Sequence, residues 1–438
     1  MKKQIFRNAS ITTIILIFNI LCTNTNGKNN PLKNNKGFVI KLNEDGSAYS
    51  KVSFATQFWF RQTKLSPGST TISGDAISSE SDFALRRTRF SMFNRLSDKI
   101  IVYTQMGFNN LNTSSSKPKL YFHDIWASYD IIPKAFTIGA GLNGWNGISR
   151  LTNTSYQKTL TLDNPGFNIP AVNHTDIDVR QIGVFIKGTV GCFSYRTAIA
   201  KPMTYDGIPD TPAANTGYEF PSTKLVWKGY FTWHFLDKEY FNTSYLAMTY
   251  LGKKKICNLG AGFDIFPDAV AEYTTNGKRT LKNRTLLGAD FFLELPFSRN
   301  QTLSFYTVYY DYDFGANYLR KSGTMNHWYG GSSAEGAGNN EYKIGTGTTW
   351  YGTLGYLFPK NFLTRSGRIQ LFYACARKDF DALTKAIYNH DFGANFLVNG
   401  HKLKFSTQYS LRPVSKNSNP NSGFEHTGTF IFQTQIVL

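Results

Sequence analysis

From residue 49 to the C-terminus the chain falls into segments whose apolar side chains recur at every second position, and helical spacing is nowhere sustained over a convincing length. Period two belongs to a β-strand with two different faces. Such segments lie near 50–63, 82–96, 99–110, 120–131, 134–142, 179–190, 192–202, 223–236, 252–265, 283–295, 301–313, 343–358, 367–378, 388–399, 401–412 and 424–438. Each is close to, or somewhat longer than, the roughly 9–11 residues that a tilted strand needs to cross a hydrocarbon layer.

The links between these segments alternate in length. Long ones at 64–81, 111–119, 143–178, 203–222, 266–282, 314–342, 379–387 and 413–423 interleave with short ones such as Ser97-Asp98, Ile132-Pro133, Gly191 and Gly400. Large loops at one end and tight turns at the other are what an antiparallel barrel in a membrane shows. Tyr240 to Tyr250 alternates too, but a seventeenth strand would move every later long loop to the short-turn end, so 237–251 is read as an enlarged short-side connection. The expectation is an all-β transmembrane antiparallel β-barrel over 49–438 with about sixteen strands.

Composition agrees with this class and excludes others. Aromatic residues make up 16% and mean hydropathy is only −0.31, as expected when apolar and polar positions alternate. No run of 18 apolar residues follows the N-terminal segment, which excludes a helical membrane protein. A soluble sandwich would need fully buried apolar runs, whereas here whole strand faces are polar.

Lys2, Lys3 and Arg7 precede the apolar run Ile11 to Leu21, with small or polar residues through Gly27, so 1–27 is expected to be a secretory leader. Residues 28–48, rich in Lys and Asn, are expected to form a flexible lead-in. Losing the three cations of the leader takes the formal charge from +19 to +16. Export and the scatter of the cations argue against nucleic acid as the partner and leave anionic lipid or small anionic solutes. Cys192, Cys257 and Cys375 form no C-x-x-C and have no spaced His partners, which speaks against a disulfide framework or a zinc site.

The outward apolar set of each strand fixes its inward set. In 401–412, Leu403, Phe405, Thr407, Tyr409 and Leu411 share one face, and Lys402, Lys404, Ser406, Gln408, Ser410 and Arg412 the other. Phe83 and Leu85 are out of phase with Phe90 and Met92, which predicts a bulge near Arg86-Arg87 and turns Arg87, Arg89 and Ser91 inward. Arg196, Arg368, Asp290 and Glu294 are expected to line the lumen as well. In the first strand Trp59 breaks the polar face near one end, where an interfacial aromatic would sit.

The longest link, 143–178, comes third among the long ones. It is expected to fold inward as a constriction, with Gly144 and Gly147 permitting tight turns, Trp145, Phe167 and Ile169 anchoring it, and Arg150, Lys158, Asp163 and Asp176 left to meet solute. Gly323 to Asn340, containing GGSSAEGAGNN, reads as a mobile exposed tip.

The closing run FIFQTQIVL, apolar at alternate places to its end, resembles the signal that outer-membrane barrels present to their assembly machinery. The stretches RRTRFSMFNRLSDKIIVYTQMGFNN (86–110), FHDIWASYD (122–130), IGAGLNGWNGISRLTN (138–153), TYLGKKKICNLGAGF (249–263) and DYDFGANYLR (311–320) resemble outer-membrane porins of the Bacteroidetes, a group similar to the phosphate-selective porin superfamily. The resemblance implies a barrel of sixteen to eighteen strands, a Gram-negative outer membrane with its lipid and lipopolysaccharide, a homotrimer, and passive diffusion of small hydrophilic solutes. Phosphate-specific members carry lysine-rich inward loops, whereas 143–178 offers only Arg150 and Lys158 beside Asp163, Asp176 and Asp178. The inward Arg and Lys series points to anionic or neutral solutes, since a charged lining sets which ions enter.

No catalytic, metal or cofactor set emerges. Ser149 sits in GISRL without the second glycine of a nucleophile elbow. His123-Asp124 and His390-Asp391 are strand neighbours, expected to point to opposite faces. Asp163, Asn164, Asp176 and Asp178 match no tight calcium pattern. The alternative class is a surface-exposed binding or adhesion barrel whose loops hold a partner and through which little passes.

Overall fold

The computed structural model describes residues 38–113, 118–203, 216–218, 223–273, 276–297 and 300–438. The expected leader and the lead-in up to residue 37 lie outside the described residues, as does most of the link 203–222. Sixteen strands form one closed sheet: β1 Tyr49–Lys64, β2 Ser79–Arg95, β3 Ile100–Leu111, β4 Tyr121–Ile132, β5 Phe136–Asn143, β6 Gln181–Val190, β7 Phe193–Lys201 and β8 Val226–His234, followed by β9 Ile256–Tyr273, β10 Arg279–Phe297, β11 Gln301–Asp313, β12 Gly347–Leu357, β13 Arg368–Phe380, β14 Ile387–Leu397, β15 Leu403–Ser415 and β16 Phe424–Val437. Each strand pairs antiparallel with the next, and β16 pairs back onto β1 from Ala55↔Val437 to Thr63↔Thr429. Every segment expected to be a strand contains one, and 237–251 contains none.

The barrel is apolar outside and polar inside. Phe83, Trp227, Leu259, Tyr309, Leu371 and Phe392 are exposed on the outer face, whereas Gln57, Asn258, Ser304, Gln370, Asn395 and Gln433 are buried on the inner one. Exposing a large apolar side chain to water costs roughly 1.5–3 kcal/mol, and this face repeats the exposure around the ring. Lipid is therefore the solvent that this surface fits.

Several local features differ from the sequence expectation. The link 266–282 is largely strand: β9 and β10 stay paired out to Tyr273↔Arg279, with a register shift between Phe266 and Val270. Pro267-Asp268 sits in that irregularity, where Asp268 adopts φ +51°. Thr216–Tyr218 adds a further short pairing to Val270–Glu272. The lead-in is partly ordered, since Phe38–Lys41 pairs with residues 49–52. Lys402 belongs to the turn before β15, its N–H bonded to Asn399 O, and is not a strand residue facing the lumen.

Trp59 is not an interfacial aromatic. It is 2% exposed, donates Nε1–H to Gln433 Oε1 at 2.7 Å, and has the Arg86 guanidinium 5.4 Å over its ring. Nor is 323–340 a free tip. Gly338 O accepts from Ser66 N at 2.7 Å, Trp328 Nε1 donates to Glu80 at 2.9 Å, and the buried Glu335 carboxylate accepts from Ser415 N at 3.1 Å. Leu319–Ser322 and Glu341–Gly345 pair at the base of this loop, so it folds down across the long-loop end.

Phe392 lies at the middle of β14 and is 49% exposed. Phe392→Arg should destabilise the bilayer-inserted barrel by about 2–4 kcal/mol in denaturant unfolding, while Phe392→Leu stays near the parent. Equal stability of the two variants would show that this face does not meet lipid.

Candidate functional site: the lumen and its two inserted segments

Between β5 and β6, residues 144–180 run inside the barrel and touch its wall almost all the way round. Two short 3-10 turns, Leu151–Asn153 and Tyr156–Lys158, bend the segment. Its apolar residues Ile148, Leu151, Leu160 and Phe167 pack against Phe292, Tyr306, Tyr310 and Tyr351 on the wall. The wall makes room with glycine. A Cβ on Gly262 would lie 2.7 Å from Ile148 Cα, and one on Gly288 would lie 2.4 Å from Ile148 O. Only bare backbone lets the segment lie this close.

Charge fixes the segment at three sites on the wall. Asp163 takes Arg86 at 2.8 Å and Arg87 at 2.7 Å. The predicted bulge is present, with Arg86 as its unpaired residue between the pairs Gln57↔Arg87 and Phe58↔Leu85, and it sends two successive arginines inward. Burial would raise the Asp163 carboxyl, but Arg86 and Arg87 together hold it below the ordinary carboxylate range. Asp176 takes Lys228 on β8 at 2.8 Å, and Lys228 also reaches Asp264 on β9, itself bound by Arg284 of β10. Asp178 lies 3.2 Å from Arg89 and 2.9 Å from His123 Nδ1.

His123 and Asp124 both turn inward, contrary to the alternation expected of strand neighbours. The register of β4 slips between Gln105↔Asp124 and Met106↔Phe122, so His123 is itself a bulge residue. The two do not act as a pair. Asp124 bonds Tyr245 Oη and lies 3.4 Å from Arg180, while His123 faces Asp178.

A second segment enters from the short-turn end. Residues 235–255 fold into the lumen, burying Glu239, Ser244, Leu246, Ala247, Met248 and Thr249. The two segments meet as a short parallel pairing, with Ser155 N donating to Leu246 O and Leu246 N to Asn153 O, both at 2.8 Å. Beside it Arg150 forms a buried ion pair with Glu239 and donates to Ala247 O. Burial would raise the Glu239 carboxyl, but Arg150 overrides this and keeps it lowered.

Most residues expected to meet solute instead hold these segments. Arg150 and Asp176 are buried in ion pairs. Asp290 accepts Arg150 N together with the hydroxyls of Tyr230 and Tyr306. Glu294 accepts Tyr250 N and Gly252 N of the second segment. Arg412 donates to Gly338 O and Asn340 O of the long-loop lid, and Arg368 to Phe358 O at the short-turn rim. Lys404 is fully buried, its Nζ 3.5 Å from Thr159 O and Oγ1. Lys158, in contrast, is exposed.

Two cavities flank the inserted segments. One of about 1200 Å³ at the long-loop end is lined by Arg86, Arg87, Tyr121, Asp178, Arg320 and Lys343 among others. The second, about 410 Å³ at the short-turn end, is lined by residues including Arg95, Trp145, Lys187, Arg196, Tyr230 and Tyr240. They share no lining residue. Sequence reasoning missed Glu239, Lys187, Lys228 and Arg180. The inward parity of Lys228 in VWKGY and of Lys187 in VFIKG was the readable signal, whereas Glu239 and Arg180 depend on how the segments fold back.

No protein-family model matches the chain, and no curated protein matches it. Solved structures do. The chain is similar to the Pseudomonas putida OprB structure determined at high pH, with TM-score 0.50 and 9% identity over 89% of this chain and 94% of that one. It is similar to Salmonella typhi OmpF, solved in complex with daunomycin, with TM-score 0.50 and 9% identity over 92% of this chain and 100% of the other. The fold is thus that of the sixteen-stranded outer-membrane porin barrels.

Proposed function

We propose that this chain is an outer-membrane porin of a Gram-negative bacterium, passing small hydrophilic solutes by passive diffusion with a preference for anions. The observation that carries the reading is a polar lumen narrowed by an inward segment, between two vestibules that are both rich in cations. Among the residues lining the long-loop cavity, Arg86 and Arg87 share Asp163 and Lys343 pairs with Glu341, which leaves Lys119, Arg320 and Lys321 against Asp178. In the short-turn cavity Arg95, Lys134, Lys187 and Arg196 outnumber Asp98 and Asp130. Linings of one sign with low-dielectric walls concentrate the opposite ion. Kinship with Bacteroidetes porins is carried over from the sequence resemblance. Phosphate specificity gains no support from a segment whose one exposed cation among Arg150 and Lys158 is Lys158.

The proposal extends to partners. The outer face meets outer-membrane lipid and lipopolysaccharide, the C-terminal strand β16 presents the chain to the barrel-assembly machinery, and three copies assemble as the resemblance implies. The alternative is a surface-exposed binding or adhesion barrel; 323–340, which as an exposed tip could serve either role, is tied down by hydrogen bonds that favour a lid.

Planar bilayers test both halves of the reading. Purified protein should give discrete conductance steps, and the reversal potential in a salt gradient should follow the anion; cation selectivity would defeat the argument from the vestibules. Deleting 152–170 should raise single-channel conductance, because it removes Asp163 and the apolar anchors Leu160 and Phe167. A conductance that stays the same or falls would mean that the segment does not constrict.

A further inference from the structure

Nearly every lumen arginine has a carboxylate. Arg61 has Asp82, Arg86 and Arg87 share Asp163, Arg89 has Asp178, Arg150 has Glu239, Arg180 has Asp124 and Arg284 has Asp264. Arg196, like Arg320 and Arg412 at the long-loop end, has among the described residues no carboxylate within ion-pair distance. It donates Nη1–H to Ser244 O at 2.7 Å, and its guanidinium lies 5.4 Å over Trp145 and 5.6 Å over Phe241. Lys187, one strand away and paired with it in register, repeats the pattern. Its Nζ donates to Phe241 O at 3.0 Å and sits 4.3 Å over the Trp145 ring. Both line the 410 Å³ cavity at the short-turn end.

Neither acid of that cavity, Asp98 or Asp130, comes within ion-pair distance of them. Asp130 accepts from Thr137 Oγ1 at 2.6 Å and makes no ion pair within 4 Å. In the remaining wall Tyr230 and Tyr240 lie beside Trp145 and Phe241, among polar residues such as Thr137, Thr232 and Asn242, and Tyr240 is 54% exposed. Two cations without carboxylates, converging in a pocket of ligand size walled by rings, match an anionic head with a flat apolar body. We infer that this inner vestibule is a binding site for a small aromatic carboxylate, its carboxylate bridging Lys187 and Arg196 and its ring lying against the aromatic wall. The inference rests on the anion-preferring reading above and gives it a site and a solute class. In transit the same site would hold such an anion after the inserted segments and release it towards the short-turn side.

Isothermal titration calorimetry on the detergent-solubilised, full-length protein reads this directly, with benzoate as the probe and acetate, inorganic phosphate and benzylamine as comparisons. Benzoate should bind saturably and more tightly than all three. Lys187→Gln and Arg196→Gln should each weaken benzoate by about tenfold or more, and Arg196→Lys should recover part of the loss. Circular dichroism identifies any variant that fails to fold, in which case the other variant decides. No saturable benzoate binding, binding untouched by the folded variants, or benzylamine binding equally well would overturn the inference. Acetate or phosphate matching benzoate would overturn the aromatic part. The titration needs no conduction, so a barrel that binds benzoate without conducting would defeat the porin reading alone.

Discussion

Closing sixteen strands into a ring leaves no free sheet edge and forces each strand to serve two solvents at once. The outward face must be apolar. The inward face then carries the polar residues, and in this chain it carries more charge than a water-filled tube requires. The features of the lumen follow from how that charge is neutralised. Segment 144–180 brings Asp163, Asp176 and Asp178 to cations on β2 and β8, and the segment from the opposite end brings Glu239 to Arg150.

Such pairs are better at fixing position than at adding stability. A buried ion pair roughly offsets its own desolvation, but removing one partner strands a charge at a cost of about 3–5 kcal/mol. The inserted segments are therefore hard to displace one contact at a time. Apolar packing of Ile148 and Leu160 against bare wall positions at Gly262, Gly288 and Gly355 adds a second constraint that no charge supplies. The residues lining the vestibules on either side include more cations than carboxylates.

Alternation was enough to read the barrel. Period two located all sixteen strands, and the alternation of link lengths settled that 237–251 is a connection. What it could not show were departures from period two. The bulge at Arg86 was legible because Phe83 and Leu85 fall out of phase with Phe90, but the one at His123 left no such trace, and its two inward neighbours were misassigned to opposite faces. The outer part of the β9–β10 hairpin fell within 266–282, expected as a link, where the register shift between Phe266 and Val270 interrupts the alternation. In the lumen, sequence parity identified which charges point inward but not which segment they meet, since those partners lie far apart in the chain. Arg150 and Asp176 were accordingly read as facing solute, when each is held by a residue more than fifty positions away.

The central claim is that two segments from opposite ends of the barrel meet inside it and set its bore. Thr154 and Leu246 form the bridge where they touch. In a chain whose Cys192, Cys257 and Cys375 are replaced by Ser, Thr154→Cys with Leu246→Cys should form a disulfide in the membrane-inserted protein under mild oxidation. The account predicts that this bond leaves single-channel conductance unchanged, because it locks an arrangement already present. Failure to cross-link, or a cross-link that alters conductance, would contradict it.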